Sequence, residues 1–116
     1  MNLIIDIGNT SSKVAIFDKS DIIKQQVVFD LTLSQVLSFC SGFTISASII
    51  SSVKKIDNNV QAIISHFNSL FLTHKTAIPI LNDYKTTETL GRDRLAGVVG
   101  ANALFPNKNI LLIDAG

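Results

Sequence analysis

The stretch Leu3-Ile4-Ile5-Asp6-Ile7-Gly8-Asn9-Thr10 decides how the rest of the chain is read. Its apolar run has the composition of a strand and carries one carboxylate, Asp6, near its C-terminal end. Gly8, Asn9 and Thr10 turn the chain, and a second strand-like run follows from Lys13 to Phe17. Such a turn presents backbone N–H groups, an amide and a hydroxyl to phosphate oxygens while the Asp faces a metal. Gly-Asn between two apolar runs is also the sequence of an ordinary hairpin turn, and the local pattern leaves both readings open.

Beyond this hairpin, Asp18-Lys19-Ser20-Asp21 has turn composition and leads to a third strand, Ile22 to Phe29, completing an antiparallel meander. Asp30 or Thr32 caps a short helix whose apolar positions are Leu33, Val36, Leu37 and Cys40. Ser41-Gly42 ends it. Phe43 to Ile50 is rich in β-branched residues and reads as a buried strand, with Ser51-Ser52 at its exit. Asp57 or Asn58 caps a second helix, in which Val60, Ile63, Ile64 and Phe67 follow the i, i+3, i+4, i+7 pattern. Leu70 to Leu72 and Ile78 to Leu81 read as short extended pieces, and Asn82 to Thr89 is polar. Leu95 to Phe105 reads as a helix apolar on nearly all sides, with Gly97, Gly100, Ala101 and Ala103 allowing close backbone approach. A last strand, Asn109 to Ile113, stops at Asp114-Ala115-Gly116. A meander followed by alternating helices and strands predicts an α/β fold, a mixed sheet with helices packed on it.

The 116 residues are enough for one domain, and 47% hydrophobic against 16% charged content excludes disorder. A net charge of +1 recruits neither nucleic acid nor anionic membrane. No basic run or aromatic-rich strand suggests base stacking. The single cysteine, Cys40, has no internal disulfide partner and reads as a packing residue in a reduced compartment. The N-terminus lacks the pattern of a secretory signal, and no apolar stretch reaches the ~20 residues that span a bilayer. The expectation is a soluble cytoplasmic protein.

Two of the expected strands end alike. Asp6 with Gly8, and Asp114 with Gly116, each put a carboxylate near a strand's C-terminal end, with glycine two positions on. In open α/β sheets that edge binds ligands, and two carboxylates converging there need a cation between them. Two unrelated strand-end turns would give the same pattern. The third feature, Leu90-Gly91-Arg92-Asp93-Arg94, opens the apolar helix. Gly91 permits close approach, Asp93 falls in the first turn where the positive end of the helix favours a negative charge, and Arg94 suits a substrate carboxylate. A charged helix start is also a common surface feature. His66 and His74 lack the spacing of a metal site. Ser48, Ser51 and Ser52 lack a His-Asp arrangement and read as strand-end hydrogen bonders.

Taken together, Asp6-Ile7-Gly8-Asn9-Thr10, Tyr84 seven residues before Gly91-Arg92-Asp93-Arg94, and Asp114-Ala115-Gly116 resemble the type III pantothenate kinases. That family belongs to the superfamily of actin and the sugar and acetate kinases. The resemblance runs from end to end of the chain but covers about the first half of a typical member. It implies the N-terminal, ribonuclease H-like (actin/sugar-kinase type) lobe of a two-lobe kinase, residues 1–116, with the second lobe absent from this chain. It implies ATP-dependent phosphorylation of pantothenate, the first step of coenzyme A biosynthesis, by a homodimer. It further implies that Asp6, Ile7, Gly8, Asn9, Thr10, Ser11, Ser12 and Lys13 form the ATP-phosphate loop, with Asp6 near magnesium. Asp93 is then the catalytic base, and Tyr84, Gly91, Arg92, Asp93 and Arg94 fall on the pantothenate site. Asp114 falls on the site of a monovalent cation, potassium or ammonium. Two departures stand out: Lys85-Thr86-Thr87-Glu88 replaces a segment that often holds Pro, and position 92 is Arg. Another superfamily phosphotransferase with a different acceptor, or a non-catalytic regulatory domain, remains an alternative.

Overall fold

The structure, a computed structural model, describes residues 1–114. It falls into two units, Met1–Leu72 and Thr73–Gly116. The first contains β1 (Asn2–Ile7), β2 (Ser12–Asp18), β3 (Asp21–Val28), α1 (Leu33–Phe39), β4 (Ala47–Ser52), α2 (Asn58–Phe67) and β5 (Leu70–Phe71). The second contains α3 (Arg92–Leu104).

The strands form one mixed sheet in the order β3-β2-β1-β4-β5. β1, β2 and β3 are the expected antiparallel meander, while β4 pairs parallel to β1, and β5 parallel to β4. Period-2 alternation explains the core. Leu3, Ile5 and Ile7 of β1, Val14 and Ile16 of β2 and Ile50 of β4 share one face and are buried together with Val36, Phe39, Val60 and Ile63 of the helices. Each fully buried Leu or Ile contributes about 1.5–3 kcal/mol by leaving water.

Local chemistry fixes the helix ends. Thr32 closes a capping box on α1: its hydroxyl accepts from Gln35 N–H at 3.3 Å, and Gln35 Oε1 accepts from Thr32 N–H at 2.9 Å. Asp57 caps α2 by accepting from Val60 N–H at 2.9 Å. Asn68 ends α2 in the left-handed region at φ 48°.

Several expected boundaries shift. β4 begins at Ala47 rather than Phe43 and includes Ser51 and Ser52, because its ladder needs β1, which supplies partners only from Asn2 to Ile7. Ile78–Leu81 joins no ladder among the described residues: Pro79 has no N–H to give, and Leu81 is fully exposed. Asn109–Ile113 likewise forms no strand among the described residues: β-prone composition makes no ladder without a partner strand, and Leu111 and Ile113 are exposed. The helix expected over Leu95–Phe105 starts earlier, at Arg92. Of its residues only Leu95 is buried, whereas Val98 and Leu104 are exposed.

Candidate active site

On the first unit, the C-terminal ends of the parallel strands β1 and β4 lie side by side, Asp6 in register with Ser51 and Ile7 with Ser52. On the other side of β1, Asp6 pairs with Lys13 of β2. Register partners share a face, so Lys13, Asp6 and Ser51 form one row across three strands, opposite the core face. Lys13 is exposed, Asp6 is half-buried and Ser51 is buried.

The intervening turn is held by Gly8 N–H donating to Ser11 O at 3.0 Å. A Cβ at Gly8 would stand 3.0 Å from that same carbonyl, a tight contact that the backbone of the turn would have to shift to relieve. Asn9 and Thr10 are exposed at the tip. Val53 N–H donates to Ile7 O at 3.0 Å and ties the exit of β4 to the end of β1. The expected phosphate loop therefore divides between two faces. Asp6 and Lys13 point to one; Ile7 and Ser12 are buried on the other, where they line a hollow of about 180 Å³ with Lys54, Asp57 and Val60.

The serines expected to bond at strand ends behave differently from one another. Ser52 Oγ donates to Lys54 O at 3.0 Å and accepts from Lys54 N–H at 3.1 Å, and Ser48 bonds Ser69 through their hydroxyls. Ser51 departs from the expectation: its hydroxyl is wholly buried and has no hydrogen-bond partner among the described residues. Strand-end spacing gave no signal for this, because register alone puts Ser51 beside Asp6.

On the second unit, Gly91 is the N-cap of α3, with φ −55° and ψ 134°, and Leu95 N–H donates to its carbonyl at 3.1 Å. Among the described residues no side chain caps this helix, and Asp93 is the acidic residue of its first turn. A Cβ at Gly91 would stand 2.5 Å from Asp93 Oδ1, so the absent side chain leaves room for the carboxylate. Asp93 and Arg94 are exposed, and Arg92 is half-buried. Tyr84 is exposed in the preceding segment, its N–H donating to Asn82 Oδ1 at 3.1 Å. Asp114 is exposed on irregular backbone rather than at a strand end, and the expected Ala115 and Gly116 beside it lie outside the described residues.

Magnesium is bound through one or two carboxylates plus water and substrate phosphates rather than by an all-protein cage. One carboxylate beside an unpartnered hydroxyl, at the end of parallel strands, fits that habit. Among the described residues, no three of His, Cys, Asp and Glu gather as metal ligands. No described helix is long and apolar enough to cross a membrane.

This is a mixed α/β protein with a glycine turn at the carboxyl end of its central strand and an acidic residue at the open start of a helix. The family model of the type III pantothenate kinases matches residues 2–116. The chain belongs to the type III pantothenate kinase family. A type III pantothenate kinase of Phocaeicola vulgatus is 43% identical over all of this chain and 49% of the relative's length. Those of Bacteroides fragilis and Christiangramia forsetii are 42% and 38% identical, again over the whole chain and 49% of theirs. The chain spans about half the length of the curated relatives it matches.

Proposed function

We propose that the protein carrying this chain is a type III pantothenate kinase, transferring the γ-phosphoryl group of ATP to the primary hydroxyl of pantothenate. Phosphoryl transfer demands mainly positioning and charge neutralisation, for which this chain has suitable groups. The observation that carries the reading is the start of α3, where Gly91 leaves room for an exposed Asp93 carboxylate in a Gly-Arg-Asp-Arg sequence. Asp93 accepts the hydroxyl proton as the pantothenate oxygen attacks the γ-phosphorus, and the bond to the β,γ-bridging oxygen breaks to release ADP. Arg94 pairs with the pantothenate carboxylate, and Tyr84 and Gly91 belong to the same substrate site. The Gly8–Thr10 turn cradles ATP phosphates through its N–H groups and hydroxyl, with Lys13 adding positive charge.

Asp6 would hold magnesium and Asp114 a monovalent cation; these ions supply neutralisation of the phosphate charge. The reading places residues 1–116 as an N-terminal ribonuclease H-like lobe of the actin/sugar-kinase type, in a cytoplasmic enzyme without nucleic-acid or membrane partners. A homodimer follows from the same reading, with α3 as the contact; its exposed Val98 and Leu104 support that assignment. Multi-angle light scattering showing a strict monomer would remove the dimer.

The decisive experiment incubates the full-length enzyme with ATP, Mg²⁺ and K⁺ and a panel of hydroxyl acceptors, following ADP release. Turnover confined to pantothenate supports the reading. Preference for an unrelated acceptor would point to another superfamily phosphotransferase, and absence of all turnover to a regulatory domain.

A further inference from the structure

The Ser51 hydroxyl of the first unit is a buried polar group that finds no hydrogen-bond partner among the described residues. Burying a hydroxyl without a partner is costly, and such groups call for an explanation in a binding or catalytic role. Its surroundings supply one. Ser51 is the register partner of Asp6 across the parallel β1–β4 pair, on the same face and about 4.8 Å away, the usual spacing between strands. The neighbouring serines of β4 both have partners, so the orphan is specific to the position beside the carboxylate.

We propose that Ser51 is a positioning residue for Asp6. Its hydroxyl donates to one Asp6 oxygen when the other oxygen turns toward a magnesium–nucleotide complex. A carboxylate that ligates a hard cation is itself ordinarily held by a hydrogen bond from behind, which fixes its orientation. Ser51 is in register beside Asp6 to do this, and among the described residues its buried hydroxyl has no other partner. The inference rests on the proposed role of Asp6, and its test separates the two.

The full-length enzyme, as wild type, Ser51→Ala, Ser51→Thr and Asp6→Asn, is titrated with ADP by calorimetry over a series of Mg²⁺ concentrations. Thermal unfolding without ligand is measured alongside. Ser51→Ala is expected to weaken the Mg²⁺-dependent part of ADP binding about tenfold. Its ligand-free melting temperature stays the same or rises, since an unsatisfied hydroxyl has been removed. Ser51→Thr, which keeps the hydroxyl, is expected to retain most of the binding. If Ser51→Ala binds Mg·ADP as wild type does, or melts lower in proportion to its loss of binding, the positioning role is overturned. If Asp6→Asn also leaves the Mg²⁺ dependence unchanged, the magnesium assignment itself fails, and with it the inference.

Discussion

Gly91 and Asp93 are spatially coupled: the carboxylate occupies the space where any larger residue at position 91 would put its Cβ, 2.5 Å from Oδ1. Gly91→Ala would therefore turn the carboxylate aside without disturbing buried apolar contacts. A displacement of about 1 Å can cost on the order of 100-fold in rate. The expected outcome is a fall in kcat of about 10–100-fold with little change in melting temperature, read by steady-state kinetics and thermal unfolding.

Asp93→Asn removes the proton acceptor and keeps the shape. General-base catalysis is worth about 10²–10⁴-fold. Turnover should fall by at least that factor while ATP affinity, measured by equilibrium binding, stays nearly intact. Near-normal turnover would strike Asp93 from the base role.

Gly8→Ala places a Cβ 3.0 Å from Ser11 O, and that oxygen is backbone, so the turn itself must give way. The Gly8 N–H to Ser11 O bond then lengthens or breaks. Weaker ATP binding, of about tenfold or more, is expected from calorimetry, with the helices α1 and α2 unaffected in circular dichroism.

Ile50 lies in the centre of β4 with no exposed surface. Ile50→Ala should destabilise the fold by about 2–5 kcal/mol, the usual cost of removing a buried Ile side chain. Thr32→Ala, by contrast, removes only the capping box of α1 and should cost about 1 kcal/mol. Urea denaturation of both variants tests the ranking.

Burial pushes the Cys40 thiol above its ordinary value of 9.0, with nearby Lys24 opposing the shift. Below that value the thiol is protonated in both the folded and unfolded chain and adds no pH dependence. Above it, the unfolded chain releases the proton first, so stability falls as pH rises. Denaturation midpoints at pH 8 and pH 10 should show this decline, and Cys40→Ala should lose that part of the slope.

Local signals accounted for most elements in the first 72 residues. The apolar runs Leu3–Ile7 and Val14–Phe17 mark strands, helical spacing in Val60–Phe67 marks an apolar helix face, and Thr32 and Asp57 carry their caps in their own side chains. These are properties of a few consecutive residues, so the sequence alone determined them, together with the motifs that resemble the kinase family. Pairing is different in kind. Whether Asn109–Ile113 becomes a strand depends on a free edge elsewhere, and Ser51 becomes notable only when β4 lies parallel to β1 in a register that sets it beside Asp6. The tertiary structure decided those points, because a backbone ladder and a buried hydroxyl are each defined by distant partners that no local pattern encodes.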